Sequence, residues 1–292
     1  TIYAAYACSV PVSGDPSSAR ARRGVLVIVT GDLGSLVACR RETVARERTG
    51  SGSGGHPFLA WMPGDVGPER VRAAEAAAAW CRLDKLLYDQ PTDPNVDGPV
   101  SVGPWLSSET LLRACRAALA LEAPISHVVA ADGANPGLGG DHLNLEAMGG
   151  LLDRALLVSQ LAAVDAELGA VSGVSDRSSG TRGGRSVSPT ALAAWRGIDM
   201  PLVDAGDAEL IVQALELGVP EAVIAAATGN RRAEAVAGPL AGLARLCQTE
   251  GSERSCGVCA GCRRWSEALR KVQAKRSGSE AVSSAPAAAS AP

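Results

Sequence analysis

Residues 24–35, Gly24-Val-Leu-Val-Ile-Val-Thr-Gly-Asp-Leu-Gly-Ser35, decide the fold of this chain. The first half is a continuous run of β-branched and aliphatic residues, which is typical of a strand buried on both faces of a parallel sheet. The second half is a short loop of small and polar residues, after which 36–40 has the pattern of a helix start. A strand, a tight loop and a helix in this order indicate the first unit of an α/β fold.

Further short apolar segments alternate with helical patterns along the rest of the chain. The candidate strands are 57–62, 85–89, 126–131 and 198–203, and the candidate helices are 69–83, 107–122, 143–168 and 207–217. We therefore predict one α/β domain over residues 24–272, built on a parallel five-stranded sheet with helices on both faces. Residues 1–23 form a polar lead-in. The Ser-, Ala- and Pro-rich residues 278–292 lack the apolar bulk to fold, so we predict a disordered tail.

The composition limits the core, the partners and the compartment. Hydrophobic residues make up 46% of the 292 residues and aromatic residues only 3%, so the core must consist mainly of Ala, Leu and Val. The net charge of −3 gives no general attraction to nucleic acid or acidic membranes. No uninterrupted apolar run reaches membrane-spanning length, and the first residues lack a secretory-signal pattern. We therefore expect a cytoplasmic protein without membrane contact, whose scattered single cysteines behave as small core hydrophobes.

Four cysteines cluster near the C-terminal end, at Cys247, Cys256, Cys259 and Cys262. The last three are three residues apart, and the glycines between them allow the backbone to turn tightly. Four converging thiolates suit the closed, tetrahedral geometry of structural zinc. Two disulfides and buried thiols are the alternatives, while redox use of one Cys-x-x-Cys pair leaves the other two cysteines unexplained. We predict a structural Zn²⁺ site in the segment 247–262.

The loop that follows the first strand is the second candidate site. In open α/β sheets, ligands bind beyond the carboxyl ends of the strands. The small and polar residues Thr30–Ser35 could present successive backbone N–H groups to a phosphate, helped by the dipole of the next helix. The loop is neither a Walker loop nor a dinucleotide-binding fingerprint. A plain strand-to-helix connection is the alternative.

Three segments together resemble one known family. Val25–Cys39 is similar to the Ser-Gly-Gly-x-Asp-Ser loop of N-type ATP pyrophosphatases, and Met200–Pro220 resembles the segment that precedes the zinc site of 7-cyano-7-deazaguanine synthases. The spacing within 247–262, with Cys-Gly-x-Cys-x-x-Cys-Arg at its end, is similar to the zinc motif of that family. The resemblance covers residues 24–272 and implies a fold like that of the adenine nucleotide alpha hydrolases.

The resemblance also implies an activity and a set of ligands. The family consists of ligases on the queuosine route that convert 7-carboxy-7-deazaguanine and ammonia to the nitrile, using ATP and Mg²⁺. Carried onto this chain, Thr30, Gly31 and Ser35 correspond to residues that cradle the ATP phosphates. The expected partners are therefore the deazapurine, ammonia and ATP, and the sequence leaves open whether the chain is a monomer or a homodimer.

Acidic residues beyond the fourth strand are candidates for substrate binding. Asp132 follows that strand where a ligand-facing loop belongs, and Asp141 corresponds to the one acid retained from the substrate segment of the family. Polar turn residues are the alternative in both places. His142 is open as a base, a metal ligand or an N-terminal helix residue, and His56 and His127 have no partner that the sequence reveals.

Two departures from the family loop leave the activity open. Asp32 replaces a glycine, and its charge at about 4 Å from a phosphate would cost about 4 kcal/mol, roughly a thousandfold in affinity. Gly34 replaces the metal-binding aspartate, unless Asp32 has taken over that role. Besides the ligase, two functions therefore remain: a catalytically inactive zinc-containing relative that binds a nucleotide or deazapurine, and an ATP pyrophosphatase acting on an RNA base.

Overall fold

The computed structural model describes most of the α/β domain. It describes residues 24–48, 56–64, 68–89, 106–131, 145–173, 189–226, 230–238, 240–241 and 258–283.

The described residues form a five-stranded sheet in which all neighbouring strands are parallel, as the sequence predicts. The strands are β1 (Gly24–Ile28), β2 (Phe58–Met62), β3 (Lys85–Tyr88), β4 (Ile125–Val129) and β5 (Gly197–Asp199), in the order β3-β2-β1-β4-β5. Every residue of β1 is buried, because β1 pairs with β2 and β4 along its edges and carries helices on both faces.

Helices cover both faces of the sheet, which confirms the predicted layers. They are α1 (Leu33–Arg48), α2 (Pro68–Trp80), α3 (Ser108–Leu119), α4 (Leu145–Gly173), α5 (Pro189–Ala194), α6 (Asp207–Glu216), α7 (Glu221–Ala226), α8 (Arg231–Ala237) and α9 (Ala260–Ser283). Side chains from α1, α2, α6, α7 and α9 build the core on one face, and α3 and α4 build the core on the other.

The last strand is shorter than predicted. The sequence suggests a strand over 198–203, whereas β5 ends at Asp199 and the chain turns over 201–204. Pro201 has no backbone N–H and cannot continue a hydrogen-bonded ladder, which accounts for the early end. β5 is the edge strand beside β4.

The C-terminal helix α9 packs against the domain through one indole side chain. Trp265 is 1% exposed, and its Nε1 donates a hydrogen bond of 3.2 Å to the carbonyl oxygen of Ile224 in α7. Arg264 forms an ion pair with Asp207 at the start of α6. The helix then runs on to Ser283, so the first part of the predicted disordered tail 278–292 is helical instead.

Helix α4 is apolar on its outer surface as well as on its inner one. It has the length and composition of a membrane span over Leu145–Gly169, although 28% of the most apolar stretch is buried within the domain. Among the described residues no other helix meets that description. The inner side of α4 packs on α3, as in the core helix of a globular domain. The sequence shows no equally long unbroken apolar run, because Asp153, Arg154 and Asp165 interrupt it.

Replacing Trp265 should release α9 from the domain. We expect Trp265→Ala to lower the free energy of unfolding by about 3–5 kcal/mol, because it empties a buried site and leaves the Ile224 carbonyl without its donor. Val236→Ala on the exposed side of α8 is the matched control and should change stability by no more than about 0.5 kcal/mol. Chemical denaturation measures both, and equal losses in the two variants would contradict the packing of α9.

Candidate functional site

The loop Thr30–Ser35 lies at the carboxyl end of the central strand, where the order of the strands reverses. The chain moves from β1 outward to β2 and β3, and then returns to place β4 on the other side of β1. Such a reversal opens a crevice between the two neighbouring strands, and ligands of open α/β sheets bind there. A Cβ added to Gly34 would lie 3.4 Å from the carbonyl oxygen of Ala131, so the loop is close to the residues that follow β4.

Asp32 closes this loop by bonding to its neighbours. Its Oδ1 accepts a hydrogen bond of 2.7 Å from the backbone N–H of Ser35, and its Oδ2 accepts one of 2.5 Å from the hydroxyl of Thr30. The hydroxyl of Ser35 in turn donates to the carbonyl oxygen of Asp32 at 2.9 Å. Asp32 is thus the N-cap of α1, satisfying one of the N–H groups that a helix start leaves exposed.

The N-cap changes the electrostatics of the predicted phosphate cradle. The N–H of Ser35 and the hydroxyl of Thr30 already serve a carboxylate, and Ser35 is fully buried. The dipole of α1 favours one negative charge at its N-terminus, and Asp32 supplies it. A phosphate at this position would have to displace or approach that charge. The loop is therefore better suited to an uncharged ligand than to a triphosphate.

Gly31 is required for packing in this loop. Its φ of +72° lies in the left-handed region, and an added Cβ would lie 2.5 Å from the carbonyl oxygen of Arg70 in α2. Any other residue would therefore be strained and would collide with backbone. The resemblance implies that Gly31 contacts phosphate, but the packing against Arg70 already requires a glycine at this position.

The described residues contain two of the four predicted zinc ligands. Cys259 and Cys262 lie at the start of α9, neither is in a disulfide, and the backbone N–H of Cys262 points to the Sγ of Cys259 at 3.4 Å. An N–H donor at a helix start favours the thiolate, which is the form that binds metal. The two residues therefore fit a zinc site on their own chemistry. Cys247 and Cys256 lie outside the described residues.

Most of the other residues that the sequence singles out lie outside the described part of the chain. Asp132, Asp141 and His142 fall outside the described residues. His56 is exposed, and its carbonyl oxygen accepts a hydrogen bond from Arg46.

The single cysteines that the structure describes are core residues, as predicted. Cys39, Cys81 and Cys115 are fully buried. Burial raises the pKa of Cys115 to about 12. The pKa of Cys39 is also raised, first by its hydrogen bond with Cys81 and then by burial. The thiols of Cys39 and Cys115 therefore stay protonated at neutral pH, which does not suit a nucleophile or a metal ligand.

Sequence reasoning missed a second group of ligand-type side chains. Glu42 of α1, His127 of β4 and Asp199 of β5 each offer one ligand atom, and these atoms all lie within 4.8 Å of one another. Glu42 and His127 are buried. The three residues are far apart in the chain and share no motif, so only the pairing of β4 with β5 and the position of α1 bring them together.

No protein family model matches the chain, and no curated protein matches it either.

Removal of one predicted zinc ligand should lower both metal content and stability. We expect Cys259→Ala to lose most of its zinc, and to unfold at a lower temperature, because structural zinc contributes about 10–16 kcal/mol of binding energy in zinc-finger peptides. Elemental analysis of purified protein together with thermal denaturation tests this.

Cys115→Ala is the matched control, since Cys115 is a buried thiol on the other face of the sheet. It should keep its zinc even where it loses stability. Unchanged zinc in Cys259→Ala would contradict the site, as would wild-type protein in which the four clustered sulfurs are oxidised in pairs.

Proposed function

We propose that this chain is a zinc-containing deazapurine-binding protein, a catalytically inactive relative of the 7-cyano-7-deazaguanine synthases. The observation that carries the proposal is the carboxylate of Asp32, which accepts the N–H of Ser35 at the start of α1. The strand order and the resemblance of Met200–Pro220 support the choice of family.

The ligand we propose is the uncharged nitrile base. The crevice between β1 and β4 is bounded by the Asp32 loop and by the residues after Val129. One like charge about 4 Å from Asp32 costs about 4 kcal/mol at an effective dielectric constant near 20. That cost applies to a triphosphate, and to the carboxylate of 7-carboxy-7-deazaguanine if it approaches the loop. The neutral 7-cyano-7-deazaguanine avoids it.

A second candidate function, the ATP-dependent ligase, has one observation in its favour. Each oxygen of the Asp32 carboxylate accepts one hydrogen bond from Thr30 or Ser35 and keeps a further lone pair. Asp32 could therefore hold Mg²⁺ in place of the missing carboxylate at position 34, and the ion would offset the repulsion of a phosphate. Thr30 and Asp32 would then position the metal and the nucleotide together.

Calorimetry with ATP·Mg²⁺ separates the two functions. We expect no binding by the wild type, and binding by the double variant Asp32→Gly, Gly34→Asp, which restores the family pattern. The exchange is sterically feasible, since a Cβ on Gly34 would meet its neighbours no closer than 3.4 Å. Equal binding by both proteins, with exchange of pyrophosphate into ATP, would support the ligase instead.

Asp32→Asn is the matched control for the charge. Asparagine caps a helix about as well as aspartate, so this variant keeps the fold of the loop and removes only the negative charge. It should bind ATP·Mg²⁺ more tightly than the wild type and more weakly than the double variant. A wild type that binds neither ATP·Mg²⁺ nor 7-cyano-7-deazaguanine would contradict both functions.

A further inference from the structure

The group formed by Glu42, His127 and Asp199 lies apart from the Asp32 loop. Glu42 follows Ser35 by seven residues in α1, which is about 10 Å along the helix axis. His127 is paired with Val25 at the beginning of β1, whereas the loop follows the end of that strand. The group is therefore enclosed between α1 and the sheet, and it takes no part in the proposed deazapurine site.

An irregularity in β4 places the side chain of His127 on the same face of the sheet as Glu42 of α1. The register between β1 and β4 shifts between Gly24 and Val25, so that Ser126 is the extra residue of a β-bulge. Bulges are rare in parallel pairs, and they re-aim the side chain that follows. Val128 packs on the α3–α4 face and Val129 on the α1 face, so the alternation of strand side chains puts His127 on the α1 face.

The bulged serine also fixes the tautomer of His127. The hydroxyl of Ser126 donates its hydrogen to the carbonyl oxygen of Gly24 at 3.0 Å. Its oxygen lies 2.8 Å from Nδ1 of His127 and must therefore accept the hydrogen of Nδ1. With its hydrogen on Nδ1, a neutral His127 carries its lone pair on Nε2, which is the atom that would bind a cation. Metal-binding histidines are typically held in this way, with the other ring N–H donated to a neighbouring oxygen.

Two of the three side chains in the group are carboxylates, and buried carboxylates are stabilised by a nearby positive charge. Arg46 lies one turn after Glu42, and its guanidinium donates to the carbonyl oxygens of His56 and Pro57 at 3.0 and 3.1 Å. Burial lowers the pKa of Arg46, while the charges of Asp84 and Glu42 oppose that shift. A divalent cation at the group would meet two carboxylates and one imidazole.

We propose that Glu42, His127 and Asp199 form a binding site for one divalent transition-metal ion. One imidazole and two carboxylates are ligands that Mn²⁺, Fe²⁺, Co²⁺ and Zn²⁺ accept, and three protein ligands leave further coordination positions for water. The ion joins α1 to β4 and the edge strand β5. The ligands of this site differ from those of the predicted cysteine site, whose four thiolates would bind Zn²⁺.

Manganese is the probe that separates the two metal sites, because oxygen and nitrogen ligands suit Mn²⁺ better than thiolates do. We expect full-length protein preloaded with zinc to bind one Mn²⁺ per chain, measured from the loss of the electron paramagnetic resonance signal of free Mn²⁺. Asp199→Asn should weaken this binding at least about 100-fold, since loss of a partner that only orients a ligand already costs 10- to 100-fold. Ser126→Ala should weaken it within that lower range.

Glu47→Gln is the matched control, because Glu47 lies on the same helix with half of its side chain exposed. It should bind Mn²⁺ as the wild type does. Mn²⁺ should also raise the melting temperature of the wild type and of Glu47→Gln, but not that of Asp199→Asn. A wild type that binds no Mn²⁺ overturns the proposal, as does equal weakening by Glu47→Gln. If His127 only forms a structural ion pair with Glu42 and Asp199, the wild type would bind no Mn²⁺.

Discussion

The parallel pairing of β1 on both of its edges is the constraint on which the structure depends. β1 hydrogen-bonds to β2 and β4 and is buried on both faces, so its five residues have no polar side chain and no exposed position. The chain must leave it through a tight loop and return along α1. That loop then lies at the reversal of strand order, and α1 lies across β4 and β5. Both groups of polar residues described above follow from this one arrangement.

The loop Thr30–Ser35 has the position of a ligand-binding loop in the sheet, but its hydrogen-bond donors are used differently. Its place in the sheet is that of a ligand-binding loop, yet its donors serve its own carboxylate. A helix start tolerates one negative charge well, and a second one at the same place is repelled. A side chain that caps the helix and a phosphate therefore compete for the same N–H groups. The single carboxylate of Asp32 is enough to decide that competition.

The sequence predicted the fold well because burial leaves a clear pattern. The uninterrupted apolar run of β1 and the alternation of strands with helices were sufficient for the parallel sheet and its two covered faces. The sequence did not predict two local effects. Pro201 shortens the last strand, and α9 continues into a segment whose composition favours disorder.

The polar sites were predictable only where their residues are neighbours in the chain. The cysteine cluster and the loop after β1 are each contiguous in the chain, so the sequence alone could offer them as candidate sites. Glu42, His127 and Asp199 come from three elements and meet only through tertiary packing. The bulge at Ser126, which orients His127, has no sequence signature because serine is common in strands and turns alike.

Helix α1 connects the Asp32 loop to Glu42 of the proposed metal site. Its 16 residues form a rod of about 24 Å, with Asp32 at its tip and Glu42 farther along. A molecule that pulls Asp32 away from Ser35 frays the first turn or tilts the whole rod, and a tilt changes the distance from Glu42 to β4. Whatever binds at one end would then alter affinity at the other, and thermodynamic reciprocity makes the effect equal in both directions.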